Sequence, residues 1–472
     1  MKTQREAPGD RLPRRRQARV CLLATLTVLL YGSTASLASA AINLTLPLPL
    51  PVKLTLPLGL GTVQGTAAGG GIKVAATRAK PPRARQAAAN PFGGRGVWIW
   101  VLSASNHGNL ASIIATAHHY GVTTLLIKSG DGSGTWAQFN PQVVAALHAG
   151  GLRVCAWQYV YGTHPAAEAQ VGAAAVKDRA DCLVIDAESE YEGRYAQAQT
   201  YITTLRRLIG PSFPVALAGF PYVDYHPAFP YSVFLGPGGA QYNAPQMYWK
   251  DIGTSVNDVY AHTYTFNRLY GRPISPLGQI FSAPPARDVK RFRQLSRAYG
   301  APGVSWWDWQ EASAGGWRAL SGPTGRLGRF APDASLASAG KGAQGDLVVW
   351  AQEHLVSAGQ TVTIDGAFGP KTLAAVERFQ AAARLPATGI VNPATWQALL
   401  RYRPVPVRWT STGAHALAAA RDAATATASA ARARRGSGAA GSAIALPIPK
   451  SASLPAKRDE IPGAAGRGWP AR

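Results

Sequence analysis

The chain has 472 residues, more than one ordinary hydrophobic core holds, so we expect at least two domains. Charged residues make up only 15%, and the 50 Gly and 35 Pro exceed average usage, which is typical of folded domains separated by unstructured stretches. The formal net charge is +24, which taken alone suggests a protein that binds polyanions.

The positive charge lies mostly outside the segments that we predict to fold. Residues 1–95 carry 14 basic and 2 acidic side chains, and residues 404–472 carry 10 and 3, so the two ends hold 19 of the 24 net charges. Residues 96–320 carry 16 basic and 14 acidic side chains. Because a domain that reads nucleic acid carries its charge on the fold, we predict no nucleic-acid partner. We expect the basic tails to bind an anionic cell envelope instead.

The N-terminus has the three parts of an export signal. The basic residues Arg14, Arg15, Arg16 and Arg19 precede an apolar run over residues 20–30, and Ala38-Ser39-Ala40 supplies a small-residue cleavage site. We therefore predict a signal peptide over 1–40 and a secreted or wall-associated protein. An uncleaved membrane anchor is the alternative, but the run is short, and no later segment reaches the ~20 apolar residues of a membrane span.

Two cysteines, Cys155 and Cys182, remain after the predicted cleavage. Outside the cytoplasm they can form a disulfide. Two buried free thiols are the alternative, and we favour that interpretation.

Three segments have the composition of linkers or tails. Residues 41–95 repeat a Leu-Thr-Leu-Pro-Leu unit, in which the prolines block helices and favour extended, polyproline-like chain. Residues 321–340 form a second predicted linker. Residues 403–472 are rich in Ala, Arg and Pro, and we predict a disordered basic tail.

Residues 96–320 alternate strand-like and helix-like runs. The predicted strands are 96–101, 123–129, 153–160, 182–188, 214–220, 244–249, 273–281 and 303–309. The predicted helices are 110–120, 141–150, 165–178, 194–209, 257–270 and 286–299. Eight strands with intervening helices in this length predict an α/β fold, the (β/α)8 TIM barrel. A doubly wound open sheet is the rival, but a Gly-rich phosphate loop after the first strand is missing.

Residues 341–402 predict a small all-α module of three helices. The segment DGAFGPKTLAAVERFQ, over residues 365–380, gives a turn followed by a helix that begins with proline, and TGIVNPATWQALL follows at 388–400. These two motifs resemble the peptidoglycan-binding domain of bacterial wall hydrolases. The resemblance implies that the module targets the protein to the cell wall and that peptidoglycan is its partner.

The densest acidic run of the chain lies at the end of the fourth predicted strand. It contains Asp186, Glu188, Glu190 and Glu192. Side chains alternate along a strand, so Asp186 and Glu188 share one face, and barrel active sites lie at the carboxyl ends of strands. Two neighbouring carboxylates can divide acid and base roles, but the strand spacing leaves retaining or inverting stereochemistry undecided. Solvated loop carboxylates are the alternative, which suits Glu190 and Glu192 best; we expect Glu192 to cap the fourth helix.

Other predicted strand ends supply polar and aromatic side chains suited to a carbohydrate. Gln158 and Tyr159 lie on the third strand, and Tyr248 and Asp308 are predicted to join Asp186 and Glu188 as catalytic residues. The predicted substrate-binding residues are Lys128, Asp131, Gln158, Glu190, Gln246, Trp249, Gln279, Trp307 and Trp309.

Strands four, six and eight resemble the polysaccharide-cleaving barrels of glycoside hydrolase families 18 (chitinases) and 25 (muramidases). Those families carry Asp-x-Glu at the end of strand four, and the resemblance implies that Glu188 is the general acid. Tyr248 and Trp307 are similar to the strand-six tyrosine and strand-eight tryptophan of the chitinase type. The match is partial: of the longer acidic series only Asp181 and Asp186 are present, and Trp249 stands where those enzymes carry Asp.

The resulting hypothesis is a secreted bacterial glycoside hydrolase that cleaves peptidoglycan glycan strands. A zinc peptidase is disfavoured because no HExxH motif is present, and we predict neither a metal nor a cofactor. A non-catalytic envelope protein that uses a degenerate barrel to bind sugars is the alternative.

Overall fold

The computed structural model describes residues 52–55, 62–65 and 90–410. The chain divides into two compact units, residues 1–88 and 89–472. In the first, strands Val52–Thr55 and Thr62–Gly65 pair antiparallel, where the proline pattern predicted a polyproline-like chain. The predicted signal peptide and residues 411–472 of the predicted tail lie outside the described residues.

The second unit contains eight parallel strands that follow chain order around a ring. They are β1 (Gly94–Ile99), β2 (Thr124–Asp131), β3 (Arg153–Val160), β4 (Cys182–Ala187), β5 (Val215–Ala218), β6 (Tyr242–Asn243), β7 (Leu277–Gln279) and β8 (Gly303–Trp307). Hydrogen-bonded ladders run from β7 through β8 and β1 to β6. Two isolated parallel bridges, Asn243–Ile274 and Gln246–Leu277, connect β6 to β7. The strands therefore form a barrel, which confirms the predicted fold class.

Helices cover the outside of the strands. Six of them begin and end close to their predicted bounds, and three, over 231–234, 249–252 and 314–321, were not predicted. The helices around the strands are α1 (Leu110–His119), α2 (Pro141–Ala149), α3 (Pro165–Lys177), α4 (Tyr195–Ile209), α5 (Tyr231–Phe234), α6 (Trp249–Ile252), α7 (Val256–Asn267), α8 (Ala286–Ala298) and α9 (Ala314–Ser321). Local signals fix several starts: Asn140 caps α2 ahead of Pro141, and Asn109 caps α1. Among the described residues, no helix is both long and apolar enough to cross a membrane.

Alternation along the strands separates an inner and an outer apolar layer. Trp98, Trp157, Val184 and Trp307 lie in the inner cluster. Ile185 and Ala187 of β4 lie in the outer cluster, under the helices. Asp186 and Glu188 consequently have the inward parity that the sequence predicts for them.

The sixth strand differs from its prediction. It was expected at 244–249, but the paired residues are Tyr242 and Asn243, and Trp249 already begins α6. Pro245 has no amide hydrogen with which to continue a ladder, which explains why only an isolated bridge forms at Gln246.

Cys155 and Cys182 form a disulfide, so the expectation of free thiols is wrong. The two residues stand opposite each other in the parallel register of β3 and β4, with a Cα–Cα distance of 4.6 Å. That distance lies within the range that a disulfide spans.

The C-terminal module has three helices, α10 (Asp346–Ser357), α11 (Pro370–Ala382) and α12 (Pro393–Leu399). Its core contains Leu355, Val376, Phe379 and Trp396. Proline occupies the first turn of both α11 and α12, as the sequence predicted.

The module packs against the barrel through α10. Asp346 is fully buried and accepts hydrogen bonds from the Ser232 amide (2.9 Å), the Ser232 hydroxyl (2.6 Å) and the Tyr270 hydroxyl (2.7 Å). The Trp350 indole donates to the carbonyl of Leu269 at 2.7 Å. The module is thus joined to the barrel by buried polar bonds as well as by chain connectivity.

Two segments assigned to linker and tail also contact the barrel. Within the predicted linker, the Ala337 amide donates to the carbonyl of Thr265. Beyond the module, Trp409 packs against Tyr195 of α4 with 4.5 Å between ring centroids and the rings tilted, and its amide donates to Gln199. The folded part therefore extends to residue 410, past the predicted boundary at 402.

Candidate active site

A pair of buried carboxylates lies at the carboxyl end of β4. Asp186 is 2% exposed, and Glu188, just beyond the strand, is 6% exposed. The side-chain nitrogen of Gln246 donates to Asp186 Oδ1 at 3.0 Å and to Glu188 Oε1 at 3.1 Å. One amide, brought in from the segment after β6, therefore holds both carboxylates, which we call the carboxylate pair.

Two tyrosines lie beside the carboxylate pair. Tyr159 stands opposite Asp186 in the β3–β4 register, and its hydroxyl donates to Glu190 Oε2 at 2.8 Å. Burial, with the nearby charges of Glu188, Glu190 and Asp186, raises the pKa of Tyr159 far above its ordinary value. Burial and the same two carboxylates of the pair raise the pKa of Tyr248 likewise. Both hydroxyls keep their protons and can act as donors.

Aromatic rings form the floor of the barrel mouth. Trp307 contacts Trp157 edge-on at 5.4 Å and Trp98 at 5.8 Å between ring centroids, and it lies 6.4 Å from Trp100. Trp98, Trp157 and Trp307 belong to β1, β3 and β8, and Trp100 follows β1. The rings therefore lie in the inner layer that also contains Tyr159 and Tyr248.

Lys128 and Asp131 meet at the end of β2. Lys128 is buried, its ammonium donates to Asp131 at 2.5 Å, and it lies 4.2 Å from the ring centroid of Trp136. The Tyr161 hydroxyl donates to the other Asp131 oxygen at 2.7 Å. This cluster is adjacent to β3 and provides polar and aromatic contacts at the edge of the mouth.

Asp308 follows Trp307 at the end of β8. It is fully buried, and one carboxylate oxygen accepts from the Glu311 amide at 3.2 Å. The other oxygen has no hydrogen-bond partner among the described residues. Burial, followed by the charge of Glu311, raises the pKa of Asp308 to about 7. The acid is therefore largely protonated in mildly acidic solution.

Three predicted substrate-binding residues lie away from the carboxylate pair. Gln158 bonds to the carbonyls of Gly132 and Glu168 and accepts from Tyr201, all on the helix side of β3. Even-numbered residues of β3 face the helices, so Tyr159, and not Gln158, points to the inside of the barrel.

The two tryptophans Trp249 and Trp309 pack in the outer layer. Trp249 lies 5.1 Å from Phe292 of α8, and Trp309 lies edge-on 4.7 Å from Trp317 of α9. Gln279 remains on the inner wall, where its carbonyl oxygen accepts from the Lys250 and Asp251 amides.

The structure differs from the sequence-based prediction for two further side chains, Tyr161 and Glu192. Tyr161 was missed because it lies one residue past the predicted third strand. Glu192 does not cap α4; it bonds to His226 Nδ1 at 2.8 Å, and that imidazole stacks on Phe220. The His226 side chain is only 17% exposed, so this pair is largely shielded from solvent. Asp181 lies at the opposite end of β4, bonded to His148.

Among the residues that the structure describes, no group of three or more His, Cys, Asp or Glu side chains is arranged to hold a metal ion. The donors at the mouth are instead carboxylates, phenols, amides and indoles. Such a set can bind sugar hydroxyls and stack on sugar faces, and its two closest carboxylates can transfer protons.

The comparisons with known proteins identify the module. Residues 344–399 match the family described as "Putative peptidoglycan binding domain". A peptidoglycan-binding protein of Clostridioides difficile is 44% identical over 13% of this chain and 40% of its own, with a TM-score of 0.13. The sequence-based assignment of the module is therefore confirmed.

The barrel is similar to solved glycosidase structures at low identity. The catalytic domain of the chitinase from Pyrococcus furiosus is 13% identical, covering 49% of this chain and 94% of its own, with a TM-score of 0.39. A curated protein of Kitasatospora aureofaciens, described as an "uncharacterized protein in bpoA1 3'region", is 58% identical over 36 residues. That stretch spans 30% of the relative and 8% of this chain.

Proposed function

We propose that the protein is an extracytoplasmic glycoside hydrolase that cleaves the glycan strands of peptidoglycan. The observation that carries the proposal is the carboxylate pair, held by Gln246 inside the barrel mouth next to the Trp307 floor. The same chain carries a peptidoglycan-binding domain that is docked on the barrel. The site is compatible with cleavage of either the muramidase-type or the chitinase-type glycosidic bond.

In the proposed mechanism, Glu188 protonates the glycosidic oxygen as general acid. Asp186 either attacks the anomeric carbon or orients an acetamido group of the substrate, and the protonated Tyr248 hydroxyl helps to hold that group. The indole of Trp307 stacks on the sugar ring at the floor of the site. Each role uses a group that lies at or beside the carboxylate pair.

The spacing of the carboxylate pair favours retention of configuration. Both accepting oxygens lie within hydrogen-bond distance of one nitrogen, so they are at most about 6 Å apart, less than the ~6.5–9.5 Å of inverting enzymes. An inverting site needs room for a water molecule between sugar and base. The shorter separation suits a retaining reaction.

Two observations support a location outside the cytoplasm. The disulfide between Cys155 and Cys182 is typical of proteins in an oxidising compartment. A peptidoglycan-binding domain has its ligand in the cell wall. Both agree with the predicted signal peptide, whose cleavage should leave a mature protein that begins near Ala41.

Zymography on purified peptidoglycan tests the proposal. Wild type should clear the gel, and Glu188→Gln should lose about 10²–10⁴ of the rate, since it keeps size but removes the transferable proton. Glu192→Gln is the matched comparison and should change the rate little, because Glu192 bonds to His226. Full activity of Glu188→Gln with loss in Glu190→Gln would move the acid role to Glu190. A wild type that binds but clears nothing would favour the sugar-binding alternative.

A further inference from the structure

One helix of the barrel carries an unusual share of its positive charge. Residues 96–320 hold 16 basic side chains, and five of them lie on the 13-residue helix α8 beside a single acid, Asp288. Arg287 and Arg297 are both exposed and are separated by about 15 Å of helix at 1.5 Å per residue. The helix packs its apolar positions, Val289 and Phe292 among them, against the barrel. Its outward surface is therefore basic along its whole length.

The segment that follows α9 adds further charge to the same surface. Thr324 accepts from Gln294 at 2.5 Å and from Arg297 at 2.8 Å, and the Phe330 ring lies 5.0 Å below the guanidinium of Arg291. Residues 324–330 thus run back along α8. The exposed Arg326 and Arg329 lie between these two contacts. We define the α8 face by six side chains: Arg287, Lys290, Arg291, Arg297, Arg326 and Arg329.

Little in the described part of the chain neutralises this face. The ion pair recorded on it joins Arg287 to Asp288 at 3.6 Å, with the arginine side chain 86% exposed. On the buried side of α8, burial, followed by the like charges of Arg95 and Arg297, lowers the pKa of Arg293 to about 10. Clustered cations of this kind repel one another and are stabilised by an anionic partner.

We propose that the α8 face is a docking surface for a phosphodiester polymer of the cell envelope. A row of guanidinium and ammonium groups along a helix matches charges that repeat along a flexible chain, and guanidinium groups bind phosphate in bidentate fashion. The protein's own ends cannot fill the face, because residues 1–95 and 404–472 are themselves strongly basic. The peptidoglycan-binding domain favours a wall polymer over nucleic acid.

The α8 face is separate from the candidate active site. Helix α8 lies between β7 and β8, whereas the carboxylate pair follows β4, across the strand ring. Docking there leaves the mouth accessible. The inference therefore does not depend on whether the barrel cleaves glycan.

The test measures binding of the full chain to purified walls, with their phosphodiester polymers either intact or removed by acid hydrolysis, across a salt series. The variant replaces four exposed side chains that have no recorded structural hydrogen bond: Arg287→Gln, Lys290→Gln, Arg326→Gln and Arg329→Gln. On intact walls we expect at least tenfold weaker binding. The slope of log affinity against log salt should fall by about 3, close to one unit per lost phosphate contact.

A control variant removes four exposed basic side chains outside both the α8 face and the peptidoglycan-binding module: Lys177→Gln, Arg179→Gln, Arg207→Gln and Arg408→Gln. It should bind intact walls nearly as wild type does. Equal losses in both variants would overturn the proposal in favour of net charge. The peptidoglycan-binding domain should still hold both proteins on stripped walls, so the difference between wild type and the α8-face variant should disappear there. A difference of the same size on stripped walls would also overturn the proposal, and tighter binding to duplex DNA than to intact walls would assign the face to nucleic acid.

Discussion

Glu168 organises the loop that carries Tyr161 to the mouth. Its buried carboxylate accepts from four consecutive amides, those of residues 161–164, at 3.0–3.1 Å. The carboxylate satisfies the buried amide of Gly162 and three part-buried amides at the start of α3. The loop geometry next to Asp131 thus depends on a residue that does not itself face the substrate.

Replacing Glu168 by Ala should destabilise the protein by about 3 kcal/mol, because one buried and three part-buried amides lose their acceptor at once. Urea unfolding measures the change. Asp178→Ala, at the other end of α3, is the control and should stay within about 0.5 kcal/mol. A Glu168→Ala variant as stable as wild type would show that the loop does not depend on this carboxylate.

Asp308 should make stability depend on pH. Its pKa is about 7 in the folded protein against 3.8 as the reference value, so between about pH 4 and 7 the folded state binds more protons than the unfolded state. Its contribution to stability is therefore lost as pH rises through this window. Asp308→Asn should match wild type near pH 4 and exceed it by a few kcal/mol near pH 7.5. Unfolding curves at both pH values check this, and a constant difference between the proteins would contradict it.

At the scale of elements, α10 is joined to the barrel by Asp346. Burial raises the pKa of this carboxyl to about 6, while the bonds from Ser232 and Tyr270 oppose the shift. Its place in the first turn of α10 adds a favourable interaction with the helix dipole. The contact fixes the orientation of the wall-binding module relative to the barrel.

Asp346→Ala should uncouple the module, since it leaves the Ser232 and Tyr270 donors buried without their acceptor at a cost of about 3 kcal/mol. Calorimetry should then resolve a separate, earlier transition for the module. Asp365→Ala is the control, because Asp365 bonds only to Gln352 and Ala367 within the module. An unchanged single transition in Asp346→Ala would show that apolar packing alone holds the domains together.

The strands and helices were largely predictable because their signals are local. Hydrophobic runs separated by Ala- and Arg-rich stretches located the barrel helices, and the turn followed by proline located the start of α11. The alternation rule that places Asp186 and Glu188 inward could also have shown that Tyr159, and not Gln158, faces the inside of the barrel. It could not have shown that Gln246 bridges the pair, since that contact joins residues 60 positions apart. The packing of Trp409 on Tyr195 is equally non-local.

At the scale of the whole molecule, the folded part and the basic ends should contribute separately to wall binding. Residues 90–410 are the suitable fragment, because Arg153 bonds to the Pro91 carbonyl and Trp409 packs on α4. We expect this fragment to fold and to bind walls with a smaller salt dependence than the full chain, since most of the net charge lies outside it. Binding across a salt series measures this. Equal salt dependence would assign the electrostatic attraction to the folded part alone.

The central claim is that the carboxylate pair cleaves a glycosidic bond of peptidoglycan. Digestion of purified peptidoglycan in ¹⁸O-labelled water, followed by mass spectrometry of the soluble products, tests it directly. We predict fragments with one ¹⁸O at a new reducing end, formed by wild type and not by Glu188→Gln. Label found only at peptide or amide cleavage sites, or no soluble product from wild type, would contradict the account.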